Sequence, residues 1–295
     1  MTDLAAIVTE IELATGDNCQ PFSSRSIGGG CINSAYLLET PAGDFFVKVN
    51  RPDLTEMFAA EAIGLQEMSV ISAVRVPTVI CHGRTASDSF LVLEYIPLGS
   101  LRGKANATLG EQLAHLHAKG QPYFGWSMDN TIGSTPQPND RQHDWVTFWQ
   151  EQRLRHQYQL AAKRGFGGQL LKNGELLIEN VPAFFTDYAP QPSLLHGDLW
   201  SGNAAADDAG QPVIFDPACY YGDAEADLAM TELFGGFGSD FFAGYRSVRN
   251  IDAGYRVRKT LYNLYHILNH VNLFGGGYFG QAESMTHQLL AEVKG

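Results

Sequence analysis

The sequence predicts an α+β protein with a small β-rich N-terminal lobe and a larger, mainly helical C-terminal lobe. Apolar β-rich runs separated by turn residues are concentrated in the first 95 residues, whereas apolar residues at helical spacing dominate the rest. A length of 295 residues favours two domains or one large two-lobed unit. We therefore predict a smaller N-terminal lobe over residues 1–95 and a larger C-terminal lobe over residues 96–295.

The elements of the N-terminal lobe follow one another in a clear order. Apolar residues at mostly helical spacing in residues 2–14 predict a short amphipathic helix. Two β-rich runs, Ala35–Glu39 and Phe45–Val49, flank a Pro-Gly turn and predict a hairpin, so the glycines before it should link an earlier strand to this hairpin. The remaining predicted elements are a helix over 55–71 and strands at Val76–Cys81 and Phe90–Tyr95.

The C-terminal lobe is predicted to consist mostly of helices. The run Ile96–Ser100 predicts a crossing between the lobes, and helical periodicity then recurs over residues 109–119, 144–164, 255–273 and 281–293. The region 120–143, rich in Gly, Pro, Asn and Gln, predicts an ordered loop. Two short apolar runs surround the sequence HGDLWSGN and end at Asp216.

Composition and charge exclude several classes of protein. A 44% hydrophobic content excludes dominant disorder, and 20 basic against 32 acidic residues, a net charge of −12, argues against a basic nucleic-acid-binding surface. The four single cysteines show no zinc-ligand spacing and indicate reduced, intracellular thiols. With neither a membrane-length apolar run nor a basic leader, the protein is predicted to be cytoplasmic.

A glycine cluster between the first two predicted strands is a candidate phosphate-binding loop. Gly28, Gly29 and Gly30 would let backbone N–H groups approach phosphate oxygens, and Asn33 and Ser34 add side-chain donors. Three glycines alone are as often a flexible turn. The cluster is neither a Walker loop nor a dinucleotide fingerprint.

Lys48 and Glu61 form a more specific pattern. Lys48 lies in the apolar strand FFVKV, and Glu61 follows thirteen residues later on the predicted helix. A lone strand lysine is most often a solvated residue, but a strand lysine held by a helix glutamate positions an ammonium against nucleotide phosphates.

The strongest motif is HGDLWSGN at residues 196–203. Its spacing is that of a kinase catalytic loop, in which Asp198 would accept the proton of the acceptor hydroxyl and Asn203 would hold a metal ion. Asp216, thirteen residues later, would supply a second oxygen ligand to Mg²⁺ bridging the nucleotide phosphates. The alternative is that Asp198 and Asp216 merely cap turns.

Together these residues resemble the aminoglycoside-phosphotransferase branch of the protein-kinase-like fold. The stretches GGGCINSAY, DNTIGSTPQPN, DWVTFWQEQRL and DPACYYGDAEADLAMTELFGGF are similar, more narrowly, to the fructosamine kinase (ketosamine 3-kinase) family. The resemblance covers nearly the whole chain. It implies phosphorylation, with ATP and Mg²⁺, of the C3 hydroxyl of a sugar–amine adduct, free or on protein lysines, with ATP bound in the cleft between two lobes and the sugar later removed.

Further roles follow from this resemblance. The hinge Glu94, Tyr95 and Ile96 should bind adenine through backbone groups, and Trp200 beside the base would either stack on a sugar or serve packing. Asp227 is expected to hold the catalytic loop in place from a helix. The metal motif is DPA rather than DFG, and no A-P-E motif follows it, which favours a small acceptor over a docked peptide.

Cys31, next to the three glycines, carries the one regulatory expectation. It is either a loop filler or, as the resemblance implies, a redox-responsive thiol able to link two copies in a homodimer. Seven of the histidines outside the HGDLWSGN motif are expected to be structural or exposed: His115, His117, His143, His156, His266, His270 and His287. Two other functions remain as alternatives to a ketosamine kinase. They are a kinase of another small hydroxyl compound (aminoglycoside, choline or homoserine) and a nucleotide-binding redox sensor.

Overall fold

The computed structural model describes residues 2–28 and 32–294, and their contacts divide the chain into two compact units. The first unit is Met1–Ala105 with Ala204–Pro217, and the second is Asn106–Asn203 with Ala218–Gly295. The predicted boundary between residues 95 and 96 divides the chain by position in the sequence, and it stays a prediction. In space, Ala204–Pro217 belongs to the first unit, because the N–H of Gly99 donates to Ala206 and the N–H of Ile214 donates to Arg75.

The first unit is built on a five-stranded antiparallel sheet. The strand order is β1-β2-β3-β5-β4, and the order of elements along the chain is the one predicted. The elements are α1 (Leu4–Thr15), β1 (Ser23–Ile27), β2 (Ser34–Thr40), β3 (Gly43–Asn50), α2 (Thr55–Ile71), β4 (Val79–Arg84) and β5 (Ser89–Glu94). The predicted strand Val76–Cys81 lies three residues further on, since Pro77 has no N–H to donate to a ladder.

The core of this unit lies on one face of the sheet. Ile7, Val8 and Ile11 of α1 are fully buried with alternate residues of β3 and β5, among them Val47, Val49, Phe90 and Val92. Because successive strand residues point to opposite faces, Lys48 lies on the other face from Val47 and Val49. The short hairpin of β9 (Ala204–Ala206) and β10 (Pro212–Ile214) completes the unit.

The second unit is mainly helical, as predicted. Its helix α9 (Tyr255–Phe274) is central, with thirteen buried residues, and packs against α5 (His156–Lys163), α7 (Ala224–Leu233) and α10 (Gly277–Lys294). The other helices are α3 (Lys104–His117), α4 (Trp145–Phe148), α6 (Gln169–Asn180) and α8 (Ser239–Val248). Helix α4 continues into α5 through a π-helical segment, Trp149–Arg155.

Short paired strands flank the loops of the second unit. Strand β8 (Ser193–Leu195) pairs with β11 (Tyr220–Gly222), directly before and after the segments that hold the sequence motifs. The predicted loop 120–143 contains a small hairpin of β6 (Asn130–Ile132) and β7 (Thr135–Gln137). Within the described ranges, no helix combines the length and the apolar composition that a membrane crossing requires.

Candidate active site

Lys48 lies at the centre of a buried charged cluster in the first unit. It is on the inner strand β3, paired with Ala35 and Leu91, and is 5% exposed. Its Nζ donates to Glu61 Oε1 of α2 at 2.6 Å and also to Asp216 Oδ1. The structure therefore has the ion pair whose spacing the sequence shows, and it adds a second carboxylate to the same ammonium.

The charges of this cluster shift one another's protonation. Burial alone would lower the pKa of Lys48, but the charges of Asp216 and Glu61 outweigh it and hold that pKa above its ordinary value. Burial raises the pKa of Glu61 to about 6, against the opposing charge of Lys48 and with the help of Asp216. Lys48 thus stays charged at neutral pH, whereas Glu61 changes its protonation state at a pH slightly below neutrality.

Asp216 is held in an uncommon backbone conformation. Its φ is +57°, a left-handed value that non-glycine residues seldom adopt. It lies two residues after β10, its side chain is 46% exposed, and Pro217 follows it directly. The turn presents the carboxylate of Asp216 both to Lys48 and to solvent, where a ligand can reach it.

The glycine loop is described only at its two ends. Gly28 follows β1 and is exposed, with no atom of the described residues beyond its chain neighbours within 4 Å of a Cβ that would be added there, and Ser34 opens β2. Asn50, at the end of β3, donates through Nδ2 to Asn33 Oδ1 at 2.6 Å and to the carbonyl of Ile32 at 3.1 Å. Asn50 was missed from the sequence and anchors the end of the loop.

Three residues of the predicted loop lie outside the described ranges: Gly29, Gly30 and Cys31. Neither their role beside phosphates nor the redox-linked dimer through Cys31 is tested by the structure, and both stay predictions. The three cysteines in the described ranges, Cys19, Cys81 and Cys219, are free thiols.

The hinge segment after β5 has most of its amides engaged. The N–H of Glu94 donates to the carbonyl of Thr78 at 2.9 Å, and the N–H of Tyr95 donates to the carbonyl of Asp44 at 3.2 Å. Of the three hinge amides, that of Ile96 alone has no acceptor within the described chain. Ile96 is therefore the amide available to an incoming base.

The catalytic-loop motif begins where β8 ends, in the second unit. The Nδ2 of Asn203 donates to the carbonyl of Asp198 at 2.9 Å and to its Oδ2 at 3.1 Å. The structure thus brings these two predicted residues into direct contact. Since the amide nitrogen of Asn203 is committed to Asp198, its Oδ1 is the atom that it can offer to a cation.

Asp227 anchors this loop from the first turns of α7, as expected. Its Oδ2 accepts the backbone N–H of His196 at 2.7 Å, and its Oδ1 accepts that of Gly197 at 2.8 Å. Gly197 has φ +80°, and a Cβ there would lie 2.1 Å from the carbonyl oxygen of Ala218. Only glycine fits at this position, because both the backbone angle and the space exclude a side chain.

His117 supports Asp227 from the C-terminal end of α3. Its Nε2 lies 3.2 Å from Asp227 Oδ2, its Nδ1 lies 3.0 Å from the hydroxyl of Tyr245, and its side chain is fully buried. Burial lowers the pKa of His117, although Asp227 opposes this. For Asp227, burial alone would raise the pKa, but hydrogen bonds from His117 and Gly197 and the charges of His117 and His196 hold it below its ordinary value.

This contact refines the expectation that His117 is structural. The residue is buried and belongs to no group of three or more potential metal ligands in the part of the chain that the structure describes, yet it contacts Asp227, the carboxylate that holds the catalytic loop. The only sequence signal was its place at the buried end of an amphipathic helix. Spacing along the chain could not show that Asp227, 110 residues away, packs against it.

Trp200 is both packed and exposed. Its ring covers the backbone of Gly202, where an added Cβ would come within 2.3 Å of the indole, and it meets Phe234 edge to face at 6.3 Å. The residue is still 38% exposed. The two alternatives drawn from the sequence, packing and stacking on a ligand, are therefore compatible in one side chain.

Asn203 in the second unit and Asp216 in the first each carry an oxygen atom, the ligand type that Mg²⁺ prefers. Mg²⁺ typically takes one or two carboxylates and completes its shell with phosphates and water. Among the described residues, no group of three or more His, Cys, Asp and Glu could hold a metal on its own. The residues present fit a nucleotide-dependent ion.

Comparison with other sequences identifies close relatives over the whole length. The sequence model of the fructosamine kinase family matches residues 4–292. A protein from Synechocystis sp. named as a probable ketoamine kinase is 47% identical over 285 residues, covering 96% of both chains. A chloroplastic protein-ribulosamine 3-kinase from Arabidopsis thaliana is 43% identical over 290 residues, covering 97% of this chain and 88% of the relative.

Solved structures show the same fold. A fructosamine-3-kinase candidate from Haemophilus somnus superposes with a TM-score of 0.89 at 29% identity, covering 96% of each chain. The aminoglycoside phosphotransferase APH(2'')-Ib, solved with ADP, gives a TM-score of 0.63 at 15% identity and covers 99% of each chain. The predicted α+β, protein-kinase-like fold class is confirmed.

Proposed function

The chain belongs to the fructosamine kinase family and is an ATP-dependent kinase, and on that premise we propose that it phosphorylates the C3 hydroxyl of ketosamines. The acceptors would be fructosamine- and ribulosamine-type adducts of a sugar with an amine, free or on protein lysines, and the reaction would serve deglycation. The family and the names of the relatives support the kinase class. The rest of the argument comes from this chain's own residues.

The observation that carries the proposal is the short connection after Asp216. Only Pro217, Ala218 and Cys219 separate Asp216 from β11, so no segment is present there on which a peptide could dock. Trp200, two residues after Asp198, offers an exposed aromatic face instead. A flat ring beside a carboxylate suits a small ligand with an apolar sugar face and a reactive hydroxyl.

The first unit would bind the nucleotide. We assign the phosphates to Lys48 and to the loop containing Gly28, with Asn33 and Ser34 as further donors. Glu61 holds the ammonium of Lys48 in place. The free amide of Ile96 would meet the adenine, while the side chains of Glu94 and Tyr95 contribute little to its recognition.

Asp198 would act on the acceptor. Its hydrogen bond from Asn203 fixes the direction of the carboxylate, which would orient the acceptor hydroxyl and remove its proton as the phosphoryl group transfers. Phosphoryl transfer depends mostly on positioning and charge stabilisation, so no covalent intermediate on the protein is needed.

Asn203 and Asp216 would hold Mg²⁺ against the nucleotide phosphates. The ion supplies charge neutralisation on the phosphates when bound. Asp216→Asn is then expected to raise the magnesium concentration needed for half-maximal ATP binding. An unchanged magnesium requirement in that variant would remove Asp216 from the ligand set.

A substrate panel tests the proposed function. ADP release would be measured with a fructosyl-amine, a ribulosyl-amine, a glycated peptide, an aminoglycoside, choline and homoserine, with Asp198→Asn as the inactive control. We expect turnover with the sugar–amine adducts and a product that carries phosphate at C3 by NMR. Turnover confined to the aminoglycoside, choline or homoserine would replace ketosamines as the substrate class. The proposal places the enzyme in the cytoplasm, a reducing compartment consistent with its free thiols.

A further inference from the structure

The stretch from Asn130 to Arg153 contains a buried polar network that the reaction does not explain. Arg153, in the π-helical segment Trp149–Arg155, is fully buried, and no carboxylate lies within ion-pair distance of it among the described residues. The guanidinium instead lies over the ring of Tyr220 at 4.1 Å and that of Phe148 at 4.6 Å. A buried charge without a counter-ion is costly, so its position calls for a reason.

The reason lies in what Arg153 donates to. Its Nη1 donates to the carbonyl of Pro138 at 2.6 Å, and its Nη2 donates to Asn139 Oδ1 at 2.7 Å. Arginine has donors only, so it forces the oxygen of the Asn139 amide to face it and the nitrogen to face away. That nitrogen donates to Asn130 Oδ1 at 2.9 Å.

The same donor-to-acceptor order continues from Asn130 to the backbone that follows Asp216. With its oxygen occupied, Asn130 donates through Nδ2 to the carbonyl of Cys219 at 2.8 Å. Gln137 is oriented by the hydroxyl of Tyr265, which donates to its Oε1 at 2.6 Å, and its Nε2 lies 2.8 Å from Asn130 Oδ1 and 3.2 Å from the carbonyl of Ala218. Two buried amides thus end on two successive carbonyls.

These hydrogen bonds hold residues 218–219, the segment that follows Asp216 and Pro217 in the chain. The N–H of Ala218 also donates to the carbonyl of His196 at 2.8 Å, and Tyr221 exchanges two hydrogen bonds with Gly125. We infer that Arg153, Asn139, Asn130 and Gln137 form a directional hydrogen-bond relay that positions residues 218–219 and, through the covalent chain, the metal-binding turn at Asp216. The inference deepens the proposed function, on which it rests for the role of Asp216.

The relay assigns these side chains as positioning residues. None of them is needed to touch substrate or nucleotide, because they act through the carbonyls of Ala218 and Cys219. The relay's donor–acceptor order is set from two ends, by Arg153 through the amide of Asn139 and by Tyr265 through Gln137, and both amides donate to Asn130 Oδ1.

The discriminating variant is Asn139→Asp. It preserves size and gives Arg153 a carboxylate partner, so a role limited to neutralising Arg153 predicts unchanged or higher thermal stability. The relay predicts a different result, because a carboxylate cannot donate to Asn130 Oδ1. We expect backbone amides of residues 218–222 to exchange hydrogen about tenfold faster in the nucleotide-free protein, and Mg·ATP affinity to fall about threefold to tenfold.

The matched control is Asn180→Asp. Asn180 lies in α6, is half-buried, and donates through Nδ2 to the carbonyl of Leu176 at 2.8 Å, so the same substitution removes a similar bond outside the relay. Exchange in residues 218–222 and Mg·ATP affinity should match the wild type. Tyr265→Phe, which removes only the hydroxyl that orients Gln137, should accelerate exchange of the same segment about threefold and serves if Asn139→Asp does not fold.

Wild-type exchange in residues 218–222 together with wild-type Mg·ATP affinity in Asn139→Asp, or in Tyr265→Phe if only that variant folds, would overturn the relay. Neither measurement uses the acceptor. Failure of the ketosamine panel with an intact exchange effect would therefore remove the proposed substrate alone, and success of the panel with unchanged exchange would remove the relay alone.

Discussion

The two groups of candidate site residues are held by different forces. In the first unit, Lys48 is shared by two carboxylates, Glu61 and Asp216, so the arrangement depends on three charges. In the second unit, the loop with Asp198 is held by backbone N–H groups of His196 and Gly197 donating to one buried carboxylate, Asp227. Charge holds the first group, and shape with backbone hydrogen bonds holds the second.

This difference implies different sensitivities. An ion pair with a carboxyl that titrates near pH 6 should respond to pH and tolerate small changes of shape. A loop that depends on a glycine at φ +80°, with a carbonyl 2.1 Å from any added Cβ, should respond to shape and much less to pH. The predictions that follow test this contrast, starting with the largest effect.

Asp198→Asn should lower kcat by about 100-fold or more while leaving ATP binding nearly unchanged, because a positioned base typically contributes 10²–10⁴-fold. The measurement is ADP release with a saturating ketosamine beside the ATP dissociation constant from calorimetry. Asp208→Asn, an exposed acid in the first unit, is the control and should behave like the wild type. Turnover near wild type in Asp198→Asn would show that another group removes the proton.

Gly197→Ala should destabilise the protein by about 3 kcal/mol, the combined effect of a left-handed residue and a backbone clash. The control is Gly210→Ala, which has φ +74° but nothing within 4 Å of the new Cβ, and should cost about 1 kcal/mol for the backbone angle alone. Urea denaturation measures both. Equal losses in the two variants would mean that contact with Ala218 does not constrain the loop.

Lys48→Ala should raise the KM for ATP about tenfold, and Glu61→Ala should raise it less because Glu61 acts through the lysine. The double variant should match Lys48→Ala, since both substitutions remove one interaction. Initial rates over an ATP series complete the cycle. Fully additive effects would indicate that the two residues act on ATP separately.

Acid pH should weaken ATP binding through Glu61 by about threefold. Below about pH 6 Glu61 is protonated, and the ion pair with Lys48 is lost. The KM for ATP of the wild type relative to Glu61→Gln should therefore rise between pH 7 and pH 5.5, since glutamine does not titrate and both proteins share the titration of ATP. A constant ratio over this range would contradict the prediction.

Protonation of Glu61 should stabilise the folded protein, although it should weaken ATP binding. The pKa of Glu61 lies above its ordinary value of 4.5 in the folded protein, so the folded state binds this proton more tightly than the unfolded chain. The contribution of Glu61 to stability is full at low pH and is lost as the pH rises through 6. Thermal melts of wild type and Glu61→Gln across this range report the difference.

The sequence by itself determined the order of elements in the first unit and supplied the candidate residues of the site. Strand periodicity, the Pro-Gly turn and helical spacing are local properties, so they identified the strands around the glycine loop and the helix that carries Glu61. The pair of Lys48 with Glu61 was also predicted from a short spacing, whereas the contact of Asp198 with Asn203 was found only in the structure. Helices α6 and α8 contain Gly174 and Gly244, which weaken a helical pattern, and the strands of the hairpin β6–β7 are only three residues long, so none of these elements was predicted.

Only the tertiary structure decided which distant residues hold these groups in place. His117 reaches Asp227 over 110 positions, Asp216 reaches Lys48 over 168, and Asn130 reaches the carbonyl of Cys219 over 89. A sequence pattern encodes which face of an element is apolar, but not which buried polar group will face which acceptor, because that depends on how helices and loops pack. Residue types and local spacing therefore predicted the chemistry, whereas long-range packing fixed the positions of the groups that carry it.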